Sequence, residues 1–344
     1  MYPSFHYIGS KTKLLTFLKT NIESYTNKKL SNVESFGDLF SGTGIVGYFM
    51  ISEGVKKVVS NDLQYYSYVV SSVVSKSELD IEKLKRIVDD LNSIDCTNQT
   101  DKDFIYTHYT PHNTCQRMFL TVQNGIKVDR IRQHLDVLKP ELTTKEFNCL
   151  LKLLLYAVTK VSNTSATYGA YLKTFKEVSK KELMLDIELV NLLIDSDAIH
   201  EAYNLHILDL DIPELTIVYC DPPYNSRRYD KNYDLLTTIS KYDNPLIKGI
   251  TGLRIESDSN GGCFCSKVTA KKEFENLFQK AKANFIFMSY SSEGILKKQE
   301  IMDLMSLSWT NVVCFEQEYK RFKSNKNCEQ NKTVMEYLFA GTKK

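Results

Sequence analysis

The sequence predicts an α/β fold, a mostly parallel sheet flanked by helices and interrupted by a largely helical insertion. Two strand-and-turn units and one break in their rhythm carry that expectation. Residues 33–47 read VESFGDLFSGTGIVG, a short apolar strand, a glycine-rich turn and the start of a helix. Residues 216–220, TIVYC, form a second buried-strand pattern that ends at Asp221-Pro222-Pro223-Tyr224. Between 76 and 199 the alternation gives way to long helical periodicities.

The 344 residues suffice for two domains, or for one domain with a large insertion. With 42% hydrophobic and 25% charged residues, the chain reads as globular rather than disordered. No apolar run approaches the ~18 residues that a membrane helix needs. The start, MYPSFHYIGSK, has no secretory core, so a cytoplasmic location is expected. Eight scattered cysteines lack a disulfide-framework spacing and read as free, mostly buried thiols. A net charge of +2 does not by itself announce a nucleic-acid partner. Basic residues cluster locally at Lys173, Lys176, Lys180 and Lys181, at Arg227 and Arg228, and at Lys320, Arg321, Lys323 and Lys326. Each cluster alone equally suits a solvated face.

Taken in order, Tyr7-Ile8-Gly9-Ser10-Lys11 precedes an amphipathic run through Leu14, Leu15, Phe17 and Leu18. A ring, a glycine turn and a cation ahead of a helix can flank a ligand or simply cap that helix. The strand at 33–38 ends in Asp38. Gly42 and Gly44 then let the backbone approach a ligand closely, and the helix starting at Gly44 or Ile45 favours polar or anionic groups at its amino terminus. A dinucleotide would suit such a loop, but GxGxxG is absent. A second strand, 55–60, ends in Asn61-Asp62. Asp62 lies 18 residues past Gly44, the interval at which an acid meets ribose hydroxyls, although it could also cap the helix at 63–74.

In the insertion, Ile81, Leu84, Val88 and Leu91 predict one helix, and the capping box Thr143 to Glu146 starts another with Phe147, Leu150, Leu151, Leu154, Leu155 and Val158 on its core face. His108, His112 and Cys115 have a spacing suggestive of a metal. Pro111 breaks the helix that would align the histidines and no fourth ligand is near, so the segment reads as polar loop without metal. Residues 162–173 bring together Asn163, Thr164, Ser165, Thr167 and Lys173, a mix suited to phosphate and base-edge contacts and equally to a polar loop. The sheet resumes with strands at 202–207 and 216–220. A loop at 249–270 is expected to cover the site, followed by a strand at 284–290, a helix at 293–305, and a closing hairpin of 309–315 and 333–339.

The tetrad at 221–224 carries the chemistry. Pro222 and Pro223 fix their own φ and restrict the residue before each, so the Asp221 carboxylate and the Tyr224 ring are held in a narrow geometry at a strand end. A carboxylate and the Pro222 carbonyl could each accept one N–H of an aromatic amino group, drawing its lone pair out of the ring, while Tyr224 stacks on the base. Asp-Pro and Pro-Pro are also ordinary turn signals.

On these residues the chain resembles the amino-methylating DNA methyltransferases, and specifically the adenine methyltransferases of the Dam-like, D12 class. The resemblance rests on the DPPY tetrad, on Phe40, Gly42 and Gly44 as an FxGxG loop, and on the segment 7–11, where Ser10 replaces a second glycine. It implies a Rossmann-like S-adenosylmethionine-dependent methyltransferase sheet made from residues 1–75 and 200–344, with 76–199 as a target-recognition insertion. S-adenosyl-L-methionine would be bound by Tyr7, Lys11, Asp38, Phe40, Gly42, Gly44, Asp62 and Asp221. His206 stands where the family carries an acid for the cofactor adenine, leaving Asp209 as the assigned contact. Asp221, Pro222 and Tyr224 would be catalytic. Double-stranded DNA would meet Tyr224, Asn163, Thr164, Lys173, Arg227 and Arg228, no metal would take part, and a restriction endonuclease would be the functional partner. A cytosine amino methyltransferase, an RNA or protein-glutamine methyltransferase, and a non-catalytic DNA-binding protein are the rival readings.

Overall fold

The computed structural model describes residues 11–344 apart from 101, 166, 212, 226–228, 256–262 and 321–332, and leaves aside the side chains of 229, 230 and 320. Helix α1 (Leu15–Thr26) leads into β1 (Ser35–Asp38), α2 (Ile45–Ser52), β2 (Lys57–Asn61) and α3 (Tyr65–Ser71). A helical region follows, with α4 (Ile81–Asn92), α5 (Phe104–Tyr109), α6 (Val122–Leu138), α7 (Thr144–Val161) and the short α8 (Glu188–Asn191). The chain returns through β3 (Ile199–Tyr203), β4 (Leu215–Cys220), α9 (Tyr229–Asn232), α10 (Asp234–Lys241) and the ribbon of β5 (Ile247–Lys248) and β6 (Leu253–Arg254). It closes with α11 (Ala270–Lys280), β7 (Ala283–Ser291), α12 (Lys298–Ser308), β8 (Trp309–Lys320) and β9 (Thr333–Lys343).

Seven strands form one sheet in the order β3-β2-β1-β4-β7-β9-β8, with β9 antiparallel to both neighbours and the first five parallel. Strand order reverses between β1 and β4, and in an open α/β sheet ligands bind outside the carboxyl ends of the strands at that switch point. Both faces of the sheet are covered, which is why β4 and β7 read as near-continuous apolar runs. Under α1 and α2 lie Phe36, Val58, Ile217, Tyr219, Phe287 and Leu338, and under α11 and α12 lie Val218, Cys220, Ile286, Met288 and Phe339.

The helical core is separate and organised on α7. Its capping box forms as the sequence predicts, with Thr143 accepting from Glu146 N–H and the Glu146 carboxylate accepting from Thr143 N–H. All six residues of the predicted stripe are buried, and Cys149, Leu153, Tyr156 and Ala157 bury the other sides as well. This core also includes Tyr66, Val69, Val70 and Val73 from around α3, and Leu235, Leu236 and Ile239 from α10. The helical region thus packs directly on α3, which lies against β2 and β3, and on α10, which follows the tetrad after β4.

Three sequence expectations are corrected. The strand placed at 202–207 is Ile199–Tyr203, because asparagine side chains end the ladder: Asn61 Nδ2 donates to Leu205 O and Asn61 Oδ1 accepts from Leu205 N–H, while Asn204 Nδ2 donates to Asp62 O and Leu63 O. The segment entered as loop from 249 continues the β5–β6 ribbon, which is fastened to the helical region by Tyr109 Oη donating to Gly252 O at 2.7 Å and by Arg117 donating to Gly249 O and Ile250 O. The helix placed at 293–305 begins at Lys298, since the N–H groups ahead of it are engaged elsewhere, Ile295 donating to Tyr224 O and Leu296 to Tyr290 Oη.

Candidate active site

Side-chain alternation along the strands assembles the site. Phe36, Tyr219, Phe287 and Leu338 share the face under α1 and α2, so a step of two residues puts Asp38, Asp221, Ser289 and Glu336 on that same face at the upper edge. The Tyr219 hydroxyl lies 2.7 Å from Ser289 Oγ, consistent with that parity. Above them, the 3-10 turn Lys11–Leu14 inserts Lys11, only 5% exposed, whose Nζ is 2.7 Å from Asp221 Oδ2 and 6.0 Å from the centre of the Tyr224 ring.

Three carboxylates therefore share the neighbourhood of one buried cation. Asp38 is 1% exposed, and neither of its oxygens has a hydrogen-bond partner among the described residues. Burial raises its pKa to about 8 and the Asp221 charge adds to the rise; the Gly47 N–H, short of hydrogen-bond geometry, and Lys11 pull the other way. Burial likewise raises the pKa of Asp221, against the pull of Lys11, and its Oδ1 is buried with no partner among the described residues. Glu336 is pushed up to about 7 by burial, with Lys11 lowering it and Asp221 raising it. Unpartnered buried oxygens cost about 1–3 kcal/mol each, an expense that a bound donor or cation would relieve.

The glycine loop stands beside this cluster. Gly42 and Gly44 have φ of +52° and +74°, the left-handed region in which a side chain would be strained, and Gly44 leads directly into α2. Asp62 fastens the loop, its Oδ2 accepting the Gly42 N–H at 2.8 Å and its Oδ1 the Gln64 N–H at 2.8 Å. It thus braces the loop and orders the turn before α3, and burial raises its pKa to about 6 against the pull of those two N–H groups. A string of ring contacts runs from Phe40 to Phe264, Phe274, Tyr290 and Tyr224, with centroids 5.2 to 5.8 Å apart. The tetrad is pinned from below, since Tyr224 O accepts from Ile295 N–H at 2.8 Å and Pro222 is buried.

Lys11, Asp38, Phe40, Gly42, Gly44, Asp62, Asp221, Pro222 and Tyr224 therefore converge at the switch point. Asp209 does not join them by any contact among the described residues; its side chain is exposed and its N–H donates to His206 O. Asn163 is a correction. It is fully buried, and its amide is spent on Met118 O, Leu172 O and the Lys176 N–H, so it braces its own loop and offers nothing to a DNA groove. Thr164 is buried too, its carbonyl accepting from Lys176 Nζ, whereas Ser165 and Lys173 are exposed. Tyr7, Arg227 and Arg228 lie outside the described residues, as do Arg321, Lys323 and Lys326. His112 bonds through its ring to Thr107 O and the Cys115 thiol donates to His108 O. Among the described residues no group of three or more His, Cys, Asp or Glu side chains could hold a metal, and no helix is long and apolar enough to cross a membrane.

Glu336 was missed by the sequence reading. Its signal lay in β9, where Val334, Leu338 and Ala340 mark the inward face and a glutamate occupies the same parity.

Comparison with known proteins identifies the family. A family model for the D12 class N6 adenine-specific DNA methyltransferases matches residues 7–304, helical region included. The type II methyltransferase M.NlaIII of Neisseria lactamica is 35% identical over 340 residues, covering 97% of this chain and 98% of that protein. M.CviAII of Paramecium bursaria Chlorella virus 1 is 33% identical, with 97% of each chain covered. M.FokI of Planomicrobium okeanokoites is 37% identical over 358 residues, and the chain spans 52% of its length. A match of that extent, with relatives aligned end to end at these identities, means that the chain belongs to the D12 class of N6 adenine-specific DNA methyltransferases.

Proposed function

We propose that the chain is the site-specific modification methyltransferase of a type II restriction-modification system. It transfers a methyl group from S-adenosyl-L-methionine to the N6 amino group of adenine in double-stranded DNA, acts in the cytoplasm without a metal, and protects DNA from a partner endonuclease. The observation that carries the reading is the pair Asp38 and Asp221 on adjacent strand ends at the switch point, each with a buried carboxylate oxygen that has no partner among the described residues.

The donor set fits the cofactor. Asp38 suits its ammonium, the backbone at Gly42 and Gly44 its methionine part, Asp62 its ribose, and Phe40 an apolar wall, while the adenine contact goes to Asp209 or His206. When bound, S-adenosyl-L-methionine supplies a sulfonium methyl as the electrophile. The target base must leave the helix stack, at a cost of a few kcal/mol, to reach the tetrad. Asp221 Oδ1 and the Pro222 carbonyl then accept the two N6 hydrogens, and Tyr224 stacks on the ring. With its two hydrogens held by Asp221 and Pro222, the amino nitrogen would keep its lone pair aimed at the sulfonium methyl that the cofactor would supply, and the proton surplus to nitrogen would leave through the Asp221 carboxylate to solvent. Rate comes from positioning and from charge placed where the nitrogen becomes positive. Residues 76–199 supply target recognition, with Lys173 on phosphate, and the remainder supplies the catalytic unit.

Incubating the protein with tritiated cofactor and plasmid DNA from a methylation-free host should place the label on N6-methyldeoxyadenosine in the nucleoside digest. Asp221→Ala should lower transfer by about a hundredfold or more while cofactor affinity stays within roughly tenfold. Label on cytosine, label accepted only by RNA, or a fully active Asp221→Ala enzyme would overturn the reading.

A further inference from the structure

The Asp221 carboxylate is used asymmetrically. Oδ2 is 2.7 Å from the buried Lys11 ammonium, while Oδ1 is equally buried and has no partner among the described residues. A carboxylate anchored on one oxygen is a directed acceptor on the other, because the anchor removes rotation about the terminal torsion. The charged and titratable groups facing it are Lys11 from the 3-10 turn, Asp38 from β1 and Glu336 from β9, with Tyr219 one step below it on the same face of β4. Burial drives Asp221 toward the neutral form, and Lys11 opposes it through its charge and its hydrogen bond. A neutral carboxyl would be a weaker acceptor, and its own O–H would compete with the amino hydrogens.

We infer that Lys11 is a positioning residue for methyl transfer: it keeps Asp221 ionised and aims Oδ1 at the amino nitrogen, instead of binding the cofactor. The inference rests on the adenine reading above and deepens it. The proton released by nitrogen passes to Oδ1 and on to solvent while Lys11 stays charged, so the residue is unchanged over a turnover.

The test compares wild type, Lys11→Met and Lys11→Arg as full chains. Single-turnover transfer of tritiated methyl to unmethylated plasmid DNA is followed from about pH 6 to about pH 9, with cofactor affinity measured by calorimetry. Lys11→Met should hold cofactor affinity within about threefold and lose on the order of a hundredfold in rate at neutral pH. Its rate should then climb with pH as Asp221 ionises, and Lys11→Arg should recover to within about tenfold of wild type with a wild-type pH profile. A Lys11→Met enzyme with cofactor affinity down by about tenfold or more and an unchanged saturated rate would make Lys11 a cofactor ligand and overturn the inference. So would a rate loss equal at every pH and unrelieved by arginine. If wild type transfers no methyl to adenine, the adenine reading fails by itself. Lys11 is then judged from the infrared difference between Lys11→Met and the Lys11→Met/Asp221→Asn double variant. A protonated-carboxyl band at neutral pH supports it, and absence of that band overturns it. Should Lys11→Met not fold, Lys11→Arg decides alone, a retained rate and profile supporting the inference and a loss beyond about tenfold overturning it.

Discussion

Asp38 shows how a site can be built at the expense of the empty protein. Its pKa of about 8 against the ordinary 3.8 means that the folded state holds a proton the unfolded chain has released between those values, so its contribution makes the protein less stable as pH rises from about 4 to about 8. Asp38→Asn, isosteric and uncharged, should therefore raise the melting temperature of the ligand-free protein at pH 8 by a few degrees. It should also weaken cofactor binding at least tenfold, for loss of a buried charge partner. A melting temperature lowered at pH 8 would contradict this assignment. Calorimetry in buffers of differing ionisation enthalpy should show proton release when the wild type binds cofactor at pH 7, and none for Asp38→Asn. Asp38, Asp62 and Asp221 were legible in the sequence because each ends an apolar strand run. Asn163 misled because composition reports which groups could touch DNA and is silent on whether their donors are already satisfied. Glu336 was passed over because its meaning depends on a strand 45 residues away in sequence, the register Ser291↔Glu336.

At the scale of the element, the loop between β1 and α2 depends on a partner from the next unit. Asp62 was read as a ribose acceptor or a cap; the structure gives it two backbone N–H donors, one on the loop and one before α3. Asp62→Ala should lower cofactor affinity by roughly ten- to a hundredfold, at about 1.5 to 3 kcal/mol per lost hydrogen bond to a charged group, and should speed hydrogen exchange at the Gly42 amide. Unchanged exchange together with unchanged affinity would show that the brace is dispensable. Helix α7 was legible almost to the residue because its capping box and period of 3.6 are local. Strand β3 ends at Tyr203, short of the expected 207, because Asn61 and Asn204 close the ladder there through long-range hydrogen bonds, and no local pattern records that.

For the molecule as a whole, the helical region and the sheet share a boundary of packed helices. Lys173 is exposed on the helical region, so Lys173→Ala should weaken binding to target and non-target duplexes alike and reduce the salt dependence by about one phosphate contact, as titrations at several salt concentrations would reveal. Altered discrimination with an unchanged salt slope would instead make it a base reader. The sequence showed the sheet-and-insertion plan but could not show that α3 and α10 belong to the helical core, because their apolar faces look the same whichever partner they bury against. The interrupted sheet has a consequence in time. Strands β2 and β3 close a loop from Asn61 to Ile199, and β1 and β4 one from Asp38 to Ile217, whereas the contacts within α7 and with its neighbours are shorter in range. Closure entropy grows with the length enclosed and non-local pairing is slow, so the helical core can consolidate while β1 and β4 are still apart. Asp38 and Asp221 are then brought side by side late, and the electrostatic cost of the site enters after most of the apolar burial that offsets it has formed.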